Sequence, residues 1–272
     1  MDGLPKFIDS QLAQGRAFFT AATAGAATGL SSAALKSALA RLSRKGLVVS
    51  PRRGFYLMLR PEDRALGAAD PARWIDPLMR FLQLDYRVSL LRAAAFHGAS
   101  HQAAMIFQVV APRQLRPIAI GRQRIEFLYQ SPAAFSAVNT PAWLCRLKTA
   151  AGYCKVAGVE LTLLDSCRYF HRAGGINGVA QAAFELGGRA RPRVLAAAAA
   201  AYENAAVRRL GYLLEHFGHV RQADALRPVA HQAKSFKKLD PSLRHVAPEL
   251  TVANDRNTAW KMLVNLPIEV DQ

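Results

Sequence analysis

The sequence of 272 residues predicts an α+β protein, with a small N-terminal domain of helices and a hairpin followed by a larger mixed α/β domain. Two patterns predict the small domain. Apolar residues recur at helical spacing between Gly and Ser breaks, and two β-rich runs then flank a Pro/Gly turn. Further short strands and helices follow along the rest of the chain. We expect the first domain to span residues 1–64 and the second to span residues 65–272.

Three short helices are predicted at the N-terminus. The first ends at Gly15, because glycine readily adopts the left-handed conformation that terminates a helix. Thr20 is suited to cap the second helix, which ends near Gly29. Ser31 is suited to cap the third in the same way, since its hydroxyl oxygen can accept a hydrogen bond from a free backbone N–H.

The third helix is amphipathic and leads into a hairpin. Leu35, Leu39 and Leu42 recur at i, i+4 and i+7, which places them on one face. Gly46 follows at the position where a left-handed residue ends many helices. The runs 47–49 and 55–59 flank a turn that contains Pro, two Arg and Gly. Together these elements predict a winged helix-turn-helix.

The second domain is predicted from shorter patterns. Residues 65–85 form a linker that leads into a helix. Further helices are expected over residues 90–97, 164–170, 176–186, 192–203 and 205–217. Strands are expected over residues 105–111, 117–120, 124–129, 158–163 and 260–267. No pattern distinguishes residues 130–156.

The chain is strongly basic, with 36 Lys and Arg against 19 Asp and Glu and a formal net charge of +17. Such a charge attracts polyanions, of which nucleic acid is the commonest in cells. No acidic residue lies between Asp9 and Glu62, although eight basic residues do. The N-terminal domain therefore combines a helix-turn-helix pattern with an uninterrupted basic window.

No membrane or secretory segment is expected. The longest uncharged stretch, residues 17–35, is interrupted by Gly, Ser and Thr, and no basic amphipathic helix has an aromatic face. Three cysteines form neither a disulfide framework nor a zinc pattern. We expect a cytoplasmic protein that associates with the nucleoid.

The predicted DNA contacts lie on the third helix and at the hairpin tip. Small polar and basic side chains on an exposed recognition helix can reach base edges, and basic groups at the tip can meet phosphates. The predicted DNA-binding residues are Ser32, Lys36, Ser37, Arg41, Arg44, Arg52 and Arg53. The general alternative is an ordinary solvated basic helix with a surface hairpin.

Catalytic motifs are missing from the sequence. It contains no H-E-x-x-H, P-loop, G-x-G-x-x-G or G-x-S-x-G pattern. We therefore expect no enzymatic activity, no catalytic residue, no metal site and no cofactor.

Several stretches, in order along the chain, resemble the AbiEi antitoxins of bacterial type IV toxin–antitoxin (abortive infection) systems. They are residues 34–47, 53–56, 89–99, 160–165, 174–176, 209–215 and 264–267. The resemblance implies a winged helix that binds inverted repeats in double-stranded operator DNA and represses its own operon. It also implies an antitoxin that counteracts a nucleotidyltransferase toxin without forming a stable complex, and no enzymatic activity.

Two other functions remain open from the residues alone. One is a nucleic-acid-processing enzyme whose winged helix docks the substrate, and the other is a plain transcription factor with a sensor domain. A further hypothesis assigns Arg208 and Arg209 to an exposed basic surface of the second domain that acts in neutralisation. The alternative interpretation of these two residues is a solvated face without a partner.

Overall fold

The computed structural model describes residues 3–99, 106–149, 152–243 and 255–271. Within these ranges the predicted mixture of helices and strands is confirmed. The helices are α1 (Leu4–Ala13), α2 (Ala21–Thr28), α3 (Ser32–Arg44), α4 (Pro61–Arg64), α5 (Ile75–Phe81), α6 (Leu90–Phe96), α7 (Pro132–Val138), α8 (Val159–Arg168), α9 (Gly175–Leu186), α10 (Pro192–Ala200), α11 (Asn204–His216) and α12 (Val220–Ala230). The strands are β1 (Phe18–Thr20), β2 (Val48–Arg52), β3 (Phe55–Met58), β4 (Arg87–Val88), β5 (Ile106–Ala111), β6 (Ile118–Ile120), β7 (Gln123–Tyr129), β8 (Leu144–Thr149), β9 (Gly152–Ala157), β10 (Lys237–Lys238), β11 (Asp255–Asn257) and β12 (Met262–Val264).

The second and third helices begin where the predicted caps place them. The Thr20 hydroxyl accepts a hydrogen bond from the backbone N–H of Thr23 at 3.1 Å, and the Thr23 hydroxyl accepts one from the N–H of Thr20 at 3.0 Å. Ser31 accepts a hydrogen bond from the N–H of Ala34 at 3.3 Å. Gly29 ends α2 with a φ of 63°, a left-handed conformation that glycine adopts without steric cost. These predictions are confirmed because capping depends on residues close in sequence.

The hairpin of β2 and β3 gains a third strand that the sequence analysis missed. Strand β1 pairs antiparallel with β3, so the sheet has the order β1-β3-β2. Leu35 and Leu39 of α3 pack into one core with residues from α1, β1 and β2. At three residues, β1 is too short to produce a periodic pattern, and pairing with β3 is what makes it a strand.

The described residues form two compact units. The first unit contains the described residues of 1–86, 105–129 and 146–155, and the second contains those of 87–104, 130–145 and 156–272. The chain therefore leaves and re-enters each unit. The predicted boundary after residue 64 stays a prediction.

Three strands of the first unit follow the predicted positions closely. Strand β5 pairs parallel with β7, and β6 pairs antiparallel with the start of β7. Met105, with which we expected β5 to begin, lies outside the described residues. The predicted strands at 117–120 and 124–129 are confirmed within one residue.

One strand prediction is wrong. Residues 158–163, expected to be a strand, form the first half of α8 after Gly158. Every residue of α8 from Glu160 to Cys167 is buried. The first residues of α8 alternate between apolar and polar types, as Val159, Glu160, Leu161, Thr162 and Leu163 show, and this period of two is typical of a strand. Because the folded unit buries polar and apolar positions alike, the helix has no exposed face that would have produced a 3.6-residue pattern.

The C-terminal part of the second unit also differs from expectation. Helix α12 was not predicted, and it contains Pro228 within its last turn. The closing strand predicted over residues 260–267 is only three residues long as β12. Strand β12 pairs parallel with β10 and antiparallel with β11.

A polar cluster lies at the centre of the second unit. We call it the buried polar centre and define it by Arg87, Ser89, Gln130, Asp165 and Tyr202, none of which is more than 9 % exposed. The Arg87 guanidinium donates to both carboxylate oxygens of Asp165, at 2.8 and 2.7 Å. Ser89 and Tyr202 donate to the same carboxylate at 2.5 and 2.6 Å. Gln130 accepts a hydrogen bond from Arg87 at 2.7 Å.

The charges of this centre stabilise one another. Burial by itself lowers the pKa of the Arg87 guanidinium, but the charge and hydrogen bonds of Asp165 outweigh it and raise the pKa above its ordinary value. Burial, and then the charge of Asp165, raise the pKa of the Tyr202 hydroxyl. Tyr202 therefore stays protonated and donates to the carboxylate.

We predict that Asp165→Asn lowers the free energy of unfolding by about 3–5 kcal/mol, because it leaves the Arg87 charge buried without its counter-ion. Denaturant unfolding followed by circular dichroism measures this change. Asp224→Asn is the matched control, since Asp224 is an exposed ion-pair partner of Arg227, and such pairs contribute at most about 1 kcal/mol. Equal losses in the two variants would contradict the importance of the buried polar centre.

Candidate nucleic-acid interface

Helix α3 presents one face to the core and the other to solvent. Leu35 and Leu39 are buried against the core of the N-terminal elements. The predicted contact residues on the opposite faces are all exposed, namely Ser32, Lys36, Ser37, Arg41 and Arg44. The sequence-predicted helix residues therefore come together on one accessible surface.

The exposed surface of α3 consists of two adjacent rows. Lys36, Ala40 and Arg44 recur at i, i+4 and i+8, and Ser37 and Arg41 form a second row beside them. Ala40 is small, so the polar groups on either side stay accessible. A three-residue turn, residues 29–31, joins α3 to α2.

The two arginines at the hairpin tip differ in their surroundings. Arg53 is exposed beside Gly54, which has a φ of 85° in the turn. Arg52 is half-buried, and its guanidinium donates to the backbone carbonyl of Arg116 and lies 5.7 Å from the ring centre of Phe127. Burial, and then the charge of Arg116, lower the pKa of Arg52. Arg53 is therefore free to contact solvent, whereas Arg52 is bonded within its own unit.

A basic segment that no sequence pattern indicated joins β5 to β6. Its residues Arg113 and Arg116 are exposed, and Arg116 lies close enough to lower the pKa of Arg52 at the hairpin. No local pattern connects residue 116 with residue 52. Only the folded chain brings this second source of positive charge to the hairpin.

The prediction of an exposed basic surface at Arg208 and Arg209 is wrong. Arg208 is only 2 % exposed and Arg209 only 5 % exposed. Arg208 donates to the backbone carbonyls of Ser235 and Lys261 at 2.8 and 3.0 Å. Arg209 donates to the carbonyls of Leu239 and Cys167 at 2.8 and 2.7 Å. These side chains satisfy backbone acceptors inside the second unit, so they present no surface to a partner.

Burial lowers the pKa of both guanidinium groups. For Arg208, the nearby charge of Arg209 lowers the pKa further. The Arg209 guanidinium also lies 4.9 Å from the ring centre of Phe170. Two residues further along α11, Gly211 lies directly against the buried ring of Trp260, and a Cβ there would come within 2.0 Å of it. This part of α11 is therefore interior.

A cavity beside the glycine-rich turn of residues 174–178 does not favour an anion. A cavity of about 340 Å³ in the second unit is lined by Gly174, Asn177 and Gln181 and by the C-terminal residues Glu269 and Asp271. The backbone N–H of Asp271 donates to the Gln181 side chain at 2.8 Å. The two carboxylates beside the turn would repel a phosphate. We therefore interpret residues 174–178 as a turn against which the C-terminal segment packs.

The described residues contain neither a cluster of metal ligands nor a membrane-spanning helix. No group of three or more His, Cys, Asp or Glu side chains in those ranges is arranged to hold a metal ion. Among the described helices, none has the length and apolar content needed to cross a membrane.

A solved structure shares this fold. The crystal structure of the RV2827C protein from Mycobacterium tuberculosis superposes with a TM-score of 0.63 at 15 % sequence identity. The alignment covers 94 % of this chain and 89 % of that chain. At this level of identity the likeness concerns the fold alone. The comparison with curated proteins found no match.

The family comparison concerns the middle of the chain. Residues 87–216 match the family model described as the AbiEi antitoxin C-terminal domain. The matched range begins at Arg87 and contains every residue of the buried polar centre. Residues 87–216 are therefore identified as an AbiEi antitoxin C-terminal domain, the kind of domain that acts in toxin–antitoxin systems.

Proposed function

We propose that this antitoxin is also a DNA-binding autorepressor. In this proposal, residues 1–64 form a winged helix-turn-helix that binds inverted repeats in the double-stranded operator of its own operon. The toxin that it counteracts is a nucleotidyltransferase encoded in the same operon, and the two proteins form no stable complex. The resemblance to AbiEi antitoxins supports each of these three statements.

The exposed polar and basic face of α3 is the observation that carries the proposal. The elements α1, β1, α2, α3, β2 and β3 follow one another in the order of a winged helix, with α3 in the position of the recognition helix. Their sequence has no acidic residue between Asp9 and Glu62, so nothing in this window repels phosphate. Association with the nucleoid follows from such binding.

The proposed contacts divide into two kinds. Lys36 and Ser37 lie near the start of α3, where recognition helices reach base edges in the major groove. Arg41 and Arg44 lie further along the helix, and Arg53 lies at the hairpin tip, so these three contact phosphates. Ser32, the exposed first residue of α3, is proposed as a further contact with DNA. Arg52 holds the hairpin against its own unit.

We predict that Lys36→Ala and Ser37→Ala each weaken binding to the operator by about 1–3 kcal/mol. Both variants should bind a random duplex almost as tightly as the wild-type protein does. Electrophoretic mobility shift or fluorescence anisotropy on both duplexes measures the difference. Lys234→Ala is the control, because it removes an exposed lysine of the second unit. Equal loss on operator and random DNA would assign Lys36 to phosphate contact and contradict its role in base recognition.

We predict that Arg53→Ala lowers the slope of log K against log salt by about 0.9, because one phosphate contact is lost. Arg52→Ala is the matched comparison, and we expect a smaller change in slope because its guanidinium is already bonded to a carbonyl of its own unit. Titrations at four or five salt concentrations measure the slopes. An unchanged slope for Arg53→Ala would show that the hairpin tip does not touch DNA.

We predict that repression and neutralisation separate genetically. A variant with Lys36→Ala, Ser37→Ala and Arg53→Ala should lose repression of its own promoter and still rescue growth from the neighbouring toxin, because the matched antitoxin domain is unchanged. Promoter activity and growth are measured in the same cells, with expression driven from a foreign promoter. Loss of rescue in a variant with wild-type thermal stability would contradict the separation of the two functions.

A further inference from the structure

We propose that the hairpin of β8 and β9 binds single-stranded nucleic acid, with an unpaired base stacked beside Tyr153 and phosphates bound by neighbouring cations. The proposal concerns the part of the chain for which the sequence showed no pattern. It does not rest on the proposed binding of operator DNA.

The geometry of one pair defines the surface. The guanidinium of Arg146 lies 4.7 Å from the ring centre of Tyr153. Residues two apart on a strand share a face, so Lys148 lies on the face of Arg146 and Lys155 lies on the face of Tyr153. The Arg146–Tyr153 contact shows that both pairs are on the same side of the hairpin. We call these four residues the ribbon face.

The ribbon face is accessible. Tyr153 is 47 % exposed, and Arg146 and Lys148 are both exposed. On the other side of the same strands Cys154 is buried and Leu147 is half-buried. The hairpin therefore has an apolar inner side and an outer side that consists of three cations and one aromatic ring.

Contacts within the first unit hold the ribbon face in place. The Tyr86 hydroxyl accepts a hydrogen bond from the backbone N–H of Lys155 at 3.1 Å and bonds to Asp76 at 3.1 Å. The Lys155 ammonium pairs with Asp85, which offsets its charge. Arg146 and Lys148 supply the positive charge, and no acidic residue occurs between Glu126 and Glu160 in the sequence.

This chemistry suits a strand with unpaired bases. An aromatic ring, or a guanidinium plane stacked upon one, offers a flat surface to the face of any base, and adjacent cations follow the backbone. In a duplex the faces of the bases are covered by their neighbours in the stack. A half-exposed Tyr beside Arg and Lys therefore favours single-stranded nucleic acid over duplex.

The test measures binding of the full-length protein to labelled oligonucleotides of about 12 nucleotides, a length that covers the site of one stacking platform. Oligouridylate and oligodeoxythymidylate distinguish RNA from DNA as the source of the single strand, and a random duplex of equal length is the third probe. We expect Tyr153→Ala to weaken single-strand binding about five-fold or more, and Tyr153→Phe to stay within about two-fold of wild type. Arg146→Ala should lower the salt slope on single strands by about 0.7.

Tyr129→Ala is the matched control, because Tyr129 is a 43 % exposed tyrosine of the same unit on β7. It should leave single-strand binding unchanged. The proposal is overturned if Tyr153→Ala binds as wild type does, if Tyr129→Ala loses as much affinity, or if Tyr153→Ala weakens duplex binding as much as single-strand binding. Thermal melting of each variant shows that a loss does not come from unfolding. If Tyr153→Ala melts early, Arg146→Ala keeps the test decisive, because an unchanged salt slope on single strands would overturn the proposal.

Discussion

The pair of Arg87 and Asp165 is the interaction on which the second unit depends. Each charge would be costly to bury alone, and together with Ser89, Gln130 and Tyr202 they satisfy one another's hydrogen bonds. Because the five residues come from distant parts of the chain, the centre can form only when all of those parts are in place. It therefore selects one arrangement of β4, α8 and the segment between α10 and α11, and it accounts for the position of α8 deep inside the unit.

Arginine has two different uses in this protein. Arg87, Arg208 and Arg209 are buried and donate to a carboxylate or to backbone carbonyls, so their charges are part of the interior. Arg41, Arg44, Arg53 and Arg146 are exposed. A planar guanidinium with five donors suits both settings, because it can satisfy several acceptors at once or lie flat on a ring. A net charge of +17 consequently overstates the charge that is available to a nucleic acid.

The sequence predicted well wherever the structure depends on neighbours in the chain. The caps at Thr20 and Ser31, the end of α2 at Gly29 and the leucine face of α3 all follow from contacts within a few residues. Prediction failed where a fully buried helix begins with the two-residue alternation of a strand, as in α8, and where a strand exists only through its partner, as in β1. The candidate DNA-contact face on α3 belongs to the first group, and the ribbon face belongs to the second, because Arg146 meets Tyr153 only when β8 and β9 pair.

Length, charge and local periodicity thus determined the α+β class, the N-terminal helices and hairpin, and the exposed face of α3. Each of these depends on residues that are only a few positions apart in the sequence. The tertiary structure decided which arginines are buried. Arg208 and Arg209 occupy an amphipathic helix whose polar residues are expected from the sequence to face water, yet the backbone carbonyls of Ser235, Leu239 and Lys261 accept their hydrogen bonds in the interior. It also decided that Arg52 turns to Arg116 while Arg53 faces solvent, although the two are adjacent. Desolvation and hydrogen bonding to distant carbonyls set these outcomes, and both depend on contacts that no local pattern records.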